Sequence, residues 1–189
     1  YRFEVSAHRW VRLENASRSW AIANDATYGW DVTRHQNDRR GTWSQVRATL
    51  VKSARFPDPD QDQGQHQWNF RIVPDASVLE AVAAGQQINL GEREVSGAPV
   101  DAPFSVSGAV VESVALAPDR SGDLVIRLYE AEGGPSRVTF RAPKAGSVTA
   151  CDLRYRPSES EPELRGGQGE WSFDLSAFQI TTLRVSFAK

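Results

Sequence analysis

The sequence predicts an all-β protein made of antiparallel β-sandwich units, of a supersandwich-like kind, with one short helix. Apolar and polar residues alternate with a period of two over most of the chain, as they do in strands that bury one face. Clusters of Gly, Pro, Asn and Asp separate these short runs and indicate turns. Only one stretch has helical spacing. Many short strands divided by turns favour sheets that pack face to face.

The alternating runs predict a strand in each of six places. In chain order these are residues 46–51, 68–73, 124–130, 137–141, 171–175 and 180–187. Pro74 is expected to end the second strand, because proline has no backbone N–H for a sheet. Gly133-Gly134-Pro135 is typical of a tight turn. The strands on either side of it are therefore expected to form a hairpin.

One helix is predicted over residues 76–87. Leu79, Val82 and Ala83 lie at helical spacing there, which predicts one apolar face. Asp75 is a candidate N-cap, because a short polar side chain can accept a hydrogen bond from the first turn. Gly85 is expected to weaken the far end of the helix.

Two sequence regions are expected. Residues 1–90 are predicted to form part of a central β-sandwich region that contains the motif loops and the short helix. Residues 91–189 are predicted to form a C-terminal β-sandwich, introduced by the Gly- and Pro-containing link 91–103. Within it, the Pro-, Ser-, Glu- and Gly-rich stretch 156–169 is expected to be an exposed loop, and its glycine-rich end to be a flexible linker.

Composition excludes several classes of partner. The chain has 189 residues and a net charge of −2, so it can bury a sizeable core and has no basic excess of the kind that neutralises phosphates. We therefore expect no nucleic-acid partner. No apolar run approaches the roughly 20 residues that span a bilayer, and no membrane partner is expected.

The cysteine content and the start of the chain bear on location. Cys151 is the only cysteine, so neither an intramolecular disulfide nor a thiolate metal cluster can form. The chain begins at Tyr1 without a signal-peptide pattern, and we interpret this start as a processing site or a boundary within a longer polypeptide. These features favour a cytoplasmic protein.

Several segments together resemble a known enzyme family. The first carries His8-Arg9-Trp10 within the strand-like run Arg2–Val11. Three further stretches follow in order: Asn24–Val32, Phe56–His66 and the terminal runs Val110–Val114, Leu124–Glu130 and Phe178–Leu183. Their order and spacing resemble the post-catalytic β-sandwich region of the retaining, zinc-dependent α-mannosidases of glycoside hydrolase family 38.

The resemblance implies a part of an enzyme without the reacting groups. In such a family, zinc and two carboxylates about 5 Å apart belong to an N-terminal α/β domain. The chain would then be the C-terminal part of an enzyme of mannose metabolism that hydrolyses terminal α-mannosides. It would have no catalytic residue, metal or cofactor of its own and would be inactive alone. The implied partners are its own N-terminal catalytic domain and an α-mannoside carbohydrate. A homo-oligomer is left open.

Two segments supply candidate residues for the rim of the sugar site. Asn24, Asp25 and Tyr28 belong to a segment whose Gly29 permits a tight corner. The second segment is a Pro- and Asp-rich loop whose candidates are Asp62, Gly64 and His66. The alternative for the first segment is a structural turn whose Asn and Asp cap backbone amides. Thr27 stands where the family usually has Lys, and Trp30 where His is common, so the role of that Lys is not transferred.

Metal binding by the chain itself is not predicted. Asp58, Asp60 and Asp62 have a spacing that hints at calcium, but the EF-hand pattern fails at its sixth and twelfth positions. The histidines, which are His8, His35 and His66, form no local ligand pair. We expect His8 and His66 to hold loops in place.

Two other functions remain open from the sequence. A carbohydrate-binding module would stack exposed Trp side chains on sugars. A structural interaction domain would bury an apolar face against a catalytic portion. A hydrophobic patch near Trp10, Trp20 and Trp30 would favour the second.

Overall fold

The computed structural model describes residues 4–92, 94–98 and 100–187. Arg2 and Phe3, the first two residues of the predicted run Arg2–Val11, therefore lie outside the described residues. Positions 93 and 99 of the predicted link also lie outside them. The chain divides into two compact units, Tyr1–Glu94 and Val95–Lys189. The described residues form fourteen strands and one helix, which confirms the predicted all-β class. None of these residues lies in a helix with the length and apolarity to cross a bilayer.

The first unit contains two three-stranded antiparallel sheets and the helix. One sheet has the order β2-β3-β6 and the other the order β1-β4-β5. Their bounds are β1 Val5–Ser6, β2 Trp10–Glu14, β3 Ser19–Asn24, β4 Gly29–Asn37, β5 Gly41–Ala48 and β6 Phe70–Pro74. Pro74 is the last residue of β6, as predicted. β5 ends at Ala48, before the end of the predicted strand.

Helix α1, Val78–Asn89, packs on one face of β3. Ala21 belongs to a buried cluster with Ala76 and Ala81, and Trp10 packs on its edge. Gly85 lets the helix approach closely, since an added Cβ would lie 2.9 Å from Cδ1 of Trp10. The glycine that seemed to weaken the helix thus permits its packing against β2.

The predicted start of the helix was wrong. Ser77, and not Asp75, is the N-cap: its side chain accepts from the Glu80 N–H, and the Glu80 carboxylate accepts from the Ser77 N–H at 2.8 Å. This reciprocal capping box satisfies two free donors. Asp75 lies in a turn with φ of 52°. The buried face is Ala81, Val82, Ala84 and Gly85, so the expected Leu79 and Ala83 are exposed.

The second unit is a sandwich of two four-stranded antiparallel sheets. Their orders are β12-β13-β10-β7 and β11-β14-β9-β8. The bounds are β7 Ser105–Ser107, β8 Val110–Leu116, β9 Leu124–Tyr129, β10 Ser136–Arg141, β11 Ala145–Cys151, β12 Arg165–Gly167, β13 Glu170–Leu175 and β14 Ile180–Phe187. Alternating side chains from both sheets form one core, which includes Ile126, Leu128, Phe140, Phe173 and Leu183.

The predicted hairpin across Gly133-Gly134-Pro135 was wrong. β9 pairs with β14 and β8, whereas β10 pairs with β13 and β7. The turn carries the chain from one sheet to the other, so Leu128 and Phe140 meet within the core instead of lying on paired strands. Both strands are apolar enough to face a common core, and local alternation cannot distinguish this crossover from edge pairing.

The second unit differs from the prediction at one further segment, and one buried carboxylate accounts for its crossover. Residues 165–167 of the predicted loop 156–169 form β12, which pairs with β13, so its glycine-rich end is in part a strand instead of a flexible linker. The crossover after β9 is held by Glu130, whose buried carboxylate accepts from the backbone N–H groups of Glu132, Gly133 and Phe178. These bonds hold the pKa of Glu130 below its usual value, with the Phe178 N–H as the largest cause.

Candidate functional site

A small cleft at the end of β3 gathers most of the first candidate segment. We call its lining the polar corner: His8, Arg9, Asn24, Asp25, Ala26, Thr27, Tyr28 and Asn89. The cleft holds about 10 Å³, enough for roughly one water-sized group. It therefore fits a single polar group of a ligand that lies mainly outside it.

Asn24 builds the corner. Its side-chain oxygen accepts from the N–H groups of Ala26 and Thr27, at 3.1 and 2.8 Å, which closes the turn locally. Its backbone N–H donates to the Arg9 carbonyl, and its carbonyl accepts from Asn89 Nδ2. The predicted alternative, a turn in which Asn caps backbone amides, is thus present in the structure.

Two buried donors in the corner have no partner among the described residues. They are Nδ2 of Asn24, a residue that is only 2% exposed, and Nε of Arg9. Buried N–H groups are nearly always hydrogen-bonded in folded proteins, because an unpaired donor costs free energy. The corner therefore has donor capacity for an oxygen atom of a ligand or a neighbouring chain.

Asp25 links the corner to the second candidate loop. Its carboxylate accepts from the backbone N–H of Asn69 at 3.0 Å and from the Asn69 side-chain amide at 2.6 Å. These two bonds, the backbone one first, hold the pKa of Asp25 below its ordinary value. Asp25 is therefore an anion at neutral pH with oxygens already oriented by Asn69.

Tyr28 is the most exposed aromatic of the corner. Its side chain is 57% exposed, and its ring stacks on His8 with centroids 5.4 Å apart and planes 14° apart. The Tyr28 carbonyl accepts from the Ala7 N–H at 2.9 Å. The pair therefore presents a flat, apolar face with a polar rim, which is a common lining of carbohydrate sites.

Thr27 and Gly29 show how this sequence completes the turn. Thr27 is buried, and its hydroxyl donates to the Thr49 carbonyl. Thr27 is thus bonded to the backbone just after the end of β5 and presents no cation. At Gly29, an added Cβ would meet the end of the Glu4 side chain, which is free to turn away, and would lie 3.1 Å from Cβ of Thr49, so a larger residue would fit tightly there.

The second group of candidates does not line the polar corner. Asp62, Gly64 and His66 are exposed. Nε2 of His66 lies 2.9 Å from the Asp62 carbonyl oxygen, and the His66 ring stacks on Trp68 at 5.3 Å. Trp68 precedes Asn69, so the Asp25–Asn69 pair connects the segment that follows the loop to the corner.

The described residues do not fit a zinc site. Each histidine stacks on a different aromatic ring, as in the His35–Trp43 pair with centroids 4.1 Å apart. No group of three or more His, Cys, Asp or Glu side chains that could hold a metal occurs in residues 4–92, 94–98 and 100–187.

Sequence reasoning missed three residues that complete the corner. Asn69 and Asn89 are 44 and 65 positions from the residues they bond, Asp25 and Asn24. Arg9 belongs to the His-Arg-Trp run that carried the resemblance, and that run was its one sequence signal. The long-range contacts have no local pattern, so only the fold reveals them.

Asp25→Asn is expected to flatten the acid dependence of stability in the first unit. Because the folded pKa of Asp25 is lowered, its contribution is fully present above the unfolded value of about 3.9 and is lost as the pH falls through the folded value. The thermal midpoint of the chain, measured from pH 7 to about pH 3, should fall less steeply in the variant and be lower at pH 7. Asp38→Asn, at an exposed turn residue, is the control. An unchanged slope for Asp25→Asn would contradict the assignment.

Comparison with known proteins identifies the family. Residues 108–183 match the model of the glycosyl hydrolases family 38 C-terminal beta sandwich domain. This stretch lies within the second unit. Over this stretch, the second unit is similar to the C-terminal β-sandwich domain of family 38. The predicted resemblance to the C-terminal β-sandwich region of this family is thereby confirmed.

The similarity to α-mannosidases covers both units. The chain is 32% identical to Alpha-mannosidase 2C1 of Homo sapiens over 96% of its length. It is 26% identical to Alpha-mannosidase G of Dictyostelium discoideum over 97%, and 26% identical to Alpha-mannosidase of Saccharomyces cerevisiae over 98%. It spans only 18%, 17% and 19% of those proteins, respectively. The polar corner thus lies in the aligned part, although the family model covers the second unit alone.

Proposed function

We propose that this chain is the C-terminal part of a retaining, zinc-dependent α-mannosidase that hydrolyses terminal α-mannosides. Its role is to support the catalytic domain and to contribute to the carbohydrate-binding rim. The observation that carries the proposal is the similarity to α-mannosidases over 96% of the chain. The proposal assigns zinc and both reacting carboxylates to a separate N-terminal domain, because the described residues supply no fitting ligand set.

The polar corner and its neighbouring loop supply the rim in this proposal. The free donors of Arg9 and Asn24 suit a hydroxyl oxygen of a sugar, and the anionic Asp25 accepts from a hydroxyl hydrogen. The exposed Tyr28 ring, steadied by His8, packs on the apolar face of the pyranose. Asp62, Gly64 and His66 are proposed to lie beside the same substrate. These groups orient a sugar; none of them breaks a bond.

The isolated chain is expected to hydrolyse no p-nitrophenyl α-mannoside above background, whereas the longer enzyme should do so. In that enzyme, Tyr28→Ala should raise KM up to about tenfold with a small change in kcat, because packing of one aromatic ring contributes about 0.5–1.5 kcal/mol and a loss of uniform binding affects KM. Tyr28→Phe is the matched control that keeps the ring. Turnover by the isolated chain that survives replacement of every Asp in the two motif segments would overturn the division of labour.

A free-standing carbohydrate-binding module is the second candidate. The observation in its favour is Trp20, which is 42% exposed on the surface of the first unit. Calorimetry with mannose and oligomannose separates the two functions. Binding at millimolar sugar that disappears in Trp20→Ala would favour the module, and lack of binding would remove it.

The proposal also places the enzyme in the cytoplasm. The single cysteine, Cys151, is buried and unpaired, and burial raises the pKa of its thiol. Such a cysteine is typical of proteins kept in a reducing compartment.

A further inference from the structure

The first unit contains a large open groove between its two sheets. At one end the sheets close on each other, where the rings of Trp30 and Phe70 meet edge to face with centroids 6.4 Å apart. Away from this contact the sheets leave a groove of about 780 Å³. We call this cavity the open groove. Its apolar wall is formed by six side chains, those of Trp20, Ile22, Val32, Trp43, Val46 and Ile72.

The register of the strands shows that this wall is the inner face of a sandwich. Ile22 is paired with Ile72, and Val32 with Val46, so each pair presents two apolar side chains on the same side of its sheet. The opposite face of β3 is already covered by helix α1, where Ala21 and Ala23 are fully buried. The groove side is therefore the second face of a strand that is apolar on both sides.

This inner face is unusually exposed. Trp20 is 42%, Val32 is 52% and Ile72 is 63% exposed. A contiguous apolar surface of this kind, rimmed by polar residues, is a common mark of an interaction site. A face that two sheets form jointly is expected to be covered by more polypeptide.

The charge of the groove indicates the chemistry of what covers it. Arg12, Arg18 and Arg34 line it, and Glu14 is the acidic residue among the lining. Glu14 is already paired with Arg12 at 2.7 Å. In the described part of the chain, neither Arg18 nor Arg34 has an ion-pair partner. These arginines give the groove a local positive potential, although the whole chain carries a net charge of −2. The positive potential favours an acidic group on the occupant.

We propose that the open groove binds an extended segment of the same mannosidase polypeptide, outside these 189 residues, with apolar side chains facing inward and an acidic side chain facing Arg18 and Arg34. This inference rests on the proposed function, since the relatives are more than five times the length of this chain. A strand is the fitting shape, because alternate side chains can fill the groove while its backbone pairs with a free sheet edge.

A second copy of the chain is the competing occupant. Its acidic loop carries Phe56, 87% exposed, close to Asp58 and Asp60. A segment of the same polypeptide is favoured because tethering alone gives it a high effective concentration, up to the millimolar range, and no additional contact is needed. The test must therefore distinguish an intramolecular from an intermolecular contact.

The test is photocrosslinking in the full-length enzyme, with 4-benzoylphenylalanine placed at position 32 in the groove. The same residue at position 116, where Leu116 is 69% exposed in the second unit, is the control. We expect position 32, and not position 116, to crosslink within one polypeptide to a segment outside these 189 residues that contains apolar side chains and Asp or Glu. Crosslinked dimers through Phe56, or no crosslink, would overturn the proposal.

A charge-reversal pair tests the arginines separately. Arg18→Glu combined with Arg34→Glu should lower the crosslinking yield at position 32 severalfold, whereas Arg18→Lys with Arg34→Lys should retain most of it. An equal yield in both pairs would overturn the acidic contact. Hydrolysis of p-nitrophenyl α-mannoside is measured in the same samples. A crosslink without hydrolysis rejects the proposed function and keeps the docking, and hydrolysis without a crosslink does the reverse.

Discussion

Leu128→Ala is expected to lower the free energy of unfolding of the second unit by about 2–5 kcal/mol. Leu128 is 0% exposed in β9 and packs in the core shared by both four-stranded sheets. Truncation removes buried methyl groups and leaves a cavity that rigid sheets on both sides cannot fill. Denaturant unfolding followed by the fluorescence of Trp171, the one tryptophan after residue 94, measures the change.

The matched control for this substitution lies on the neighbouring strand. Leu116 ends β8 in the same sheet and is 69% exposed. Leu116→Ala should therefore change the free energy of unfolding by no more than about 0.5 kcal/mol. Equal losses in the two variants would show that Leu128 does not lie in a common core.

Gly108→Ala is expected to destabilise the second unit by about 2–5 kcal/mol, combining two costs. Gly108 has a φ of 81° in the turn between β7 and β8, where an L-residue costs about 1–2 kcal/mol. An added Cβ would also lie 2.2 Å from the Arg137 carbonyl oxygen. That oxygen belongs to the backbone of β10, so the strand itself must move, which typically costs about 1–3 kcal/mol.

Gly122→Ala separates these two costs. Gly122 has a similar φ of 90°, but nothing lies within 4 Å of its added Cβ. We expect only the conformational cost there, so the difference between the two variants measures the clash with β10. Denaturant unfolding of both proteins provides the comparison. A Gly108→Ala variant as stable as Gly122→Ala would contradict the close approach.

Local patterns predicted six of the fourteen described strands, but not their partners. The alternation over 171–175 and 180–187 is matched by β13 and β14, because exposure of one face and burial of the other leaves a period of two in the residues themselves. The crossover from β9 to β10 has the same local pattern as a hairpin. Pairing depends on β13 and β14, whose residues lie 29 or more positions further along the chain than their partners in β10 and β9.

The candidate site shows the same division. Asn24, Asp25 and Tyr28 could be proposed together because they lie within one turn, and the turn chemistry of Asn is local. Whether Asp62, Gly64 and His66 belong to the same rim stays a prediction. Two distant residues orient the corner: Asn69 lies just before β6, and Asn89 is the last residue of helix α1. No spacing in the sequence relates them to Asp25 and Asn24.

The sequence by itself determined the all-β class, the positions of six strands, the presence of one helix and, through its ordered segments, the resemblance to the α-mannosidases of family 38. These properties depend on neighbouring residues or on short motifs. Only the tertiary structure decided that Ser77 starts the helix, that β9 and β10 lie in opposite sheets, and that two half-closed sheets leave an arginine-lined apolar groove. Burial and strand pairing are set by contacts between distant residues, so they appear only when the chain has folded.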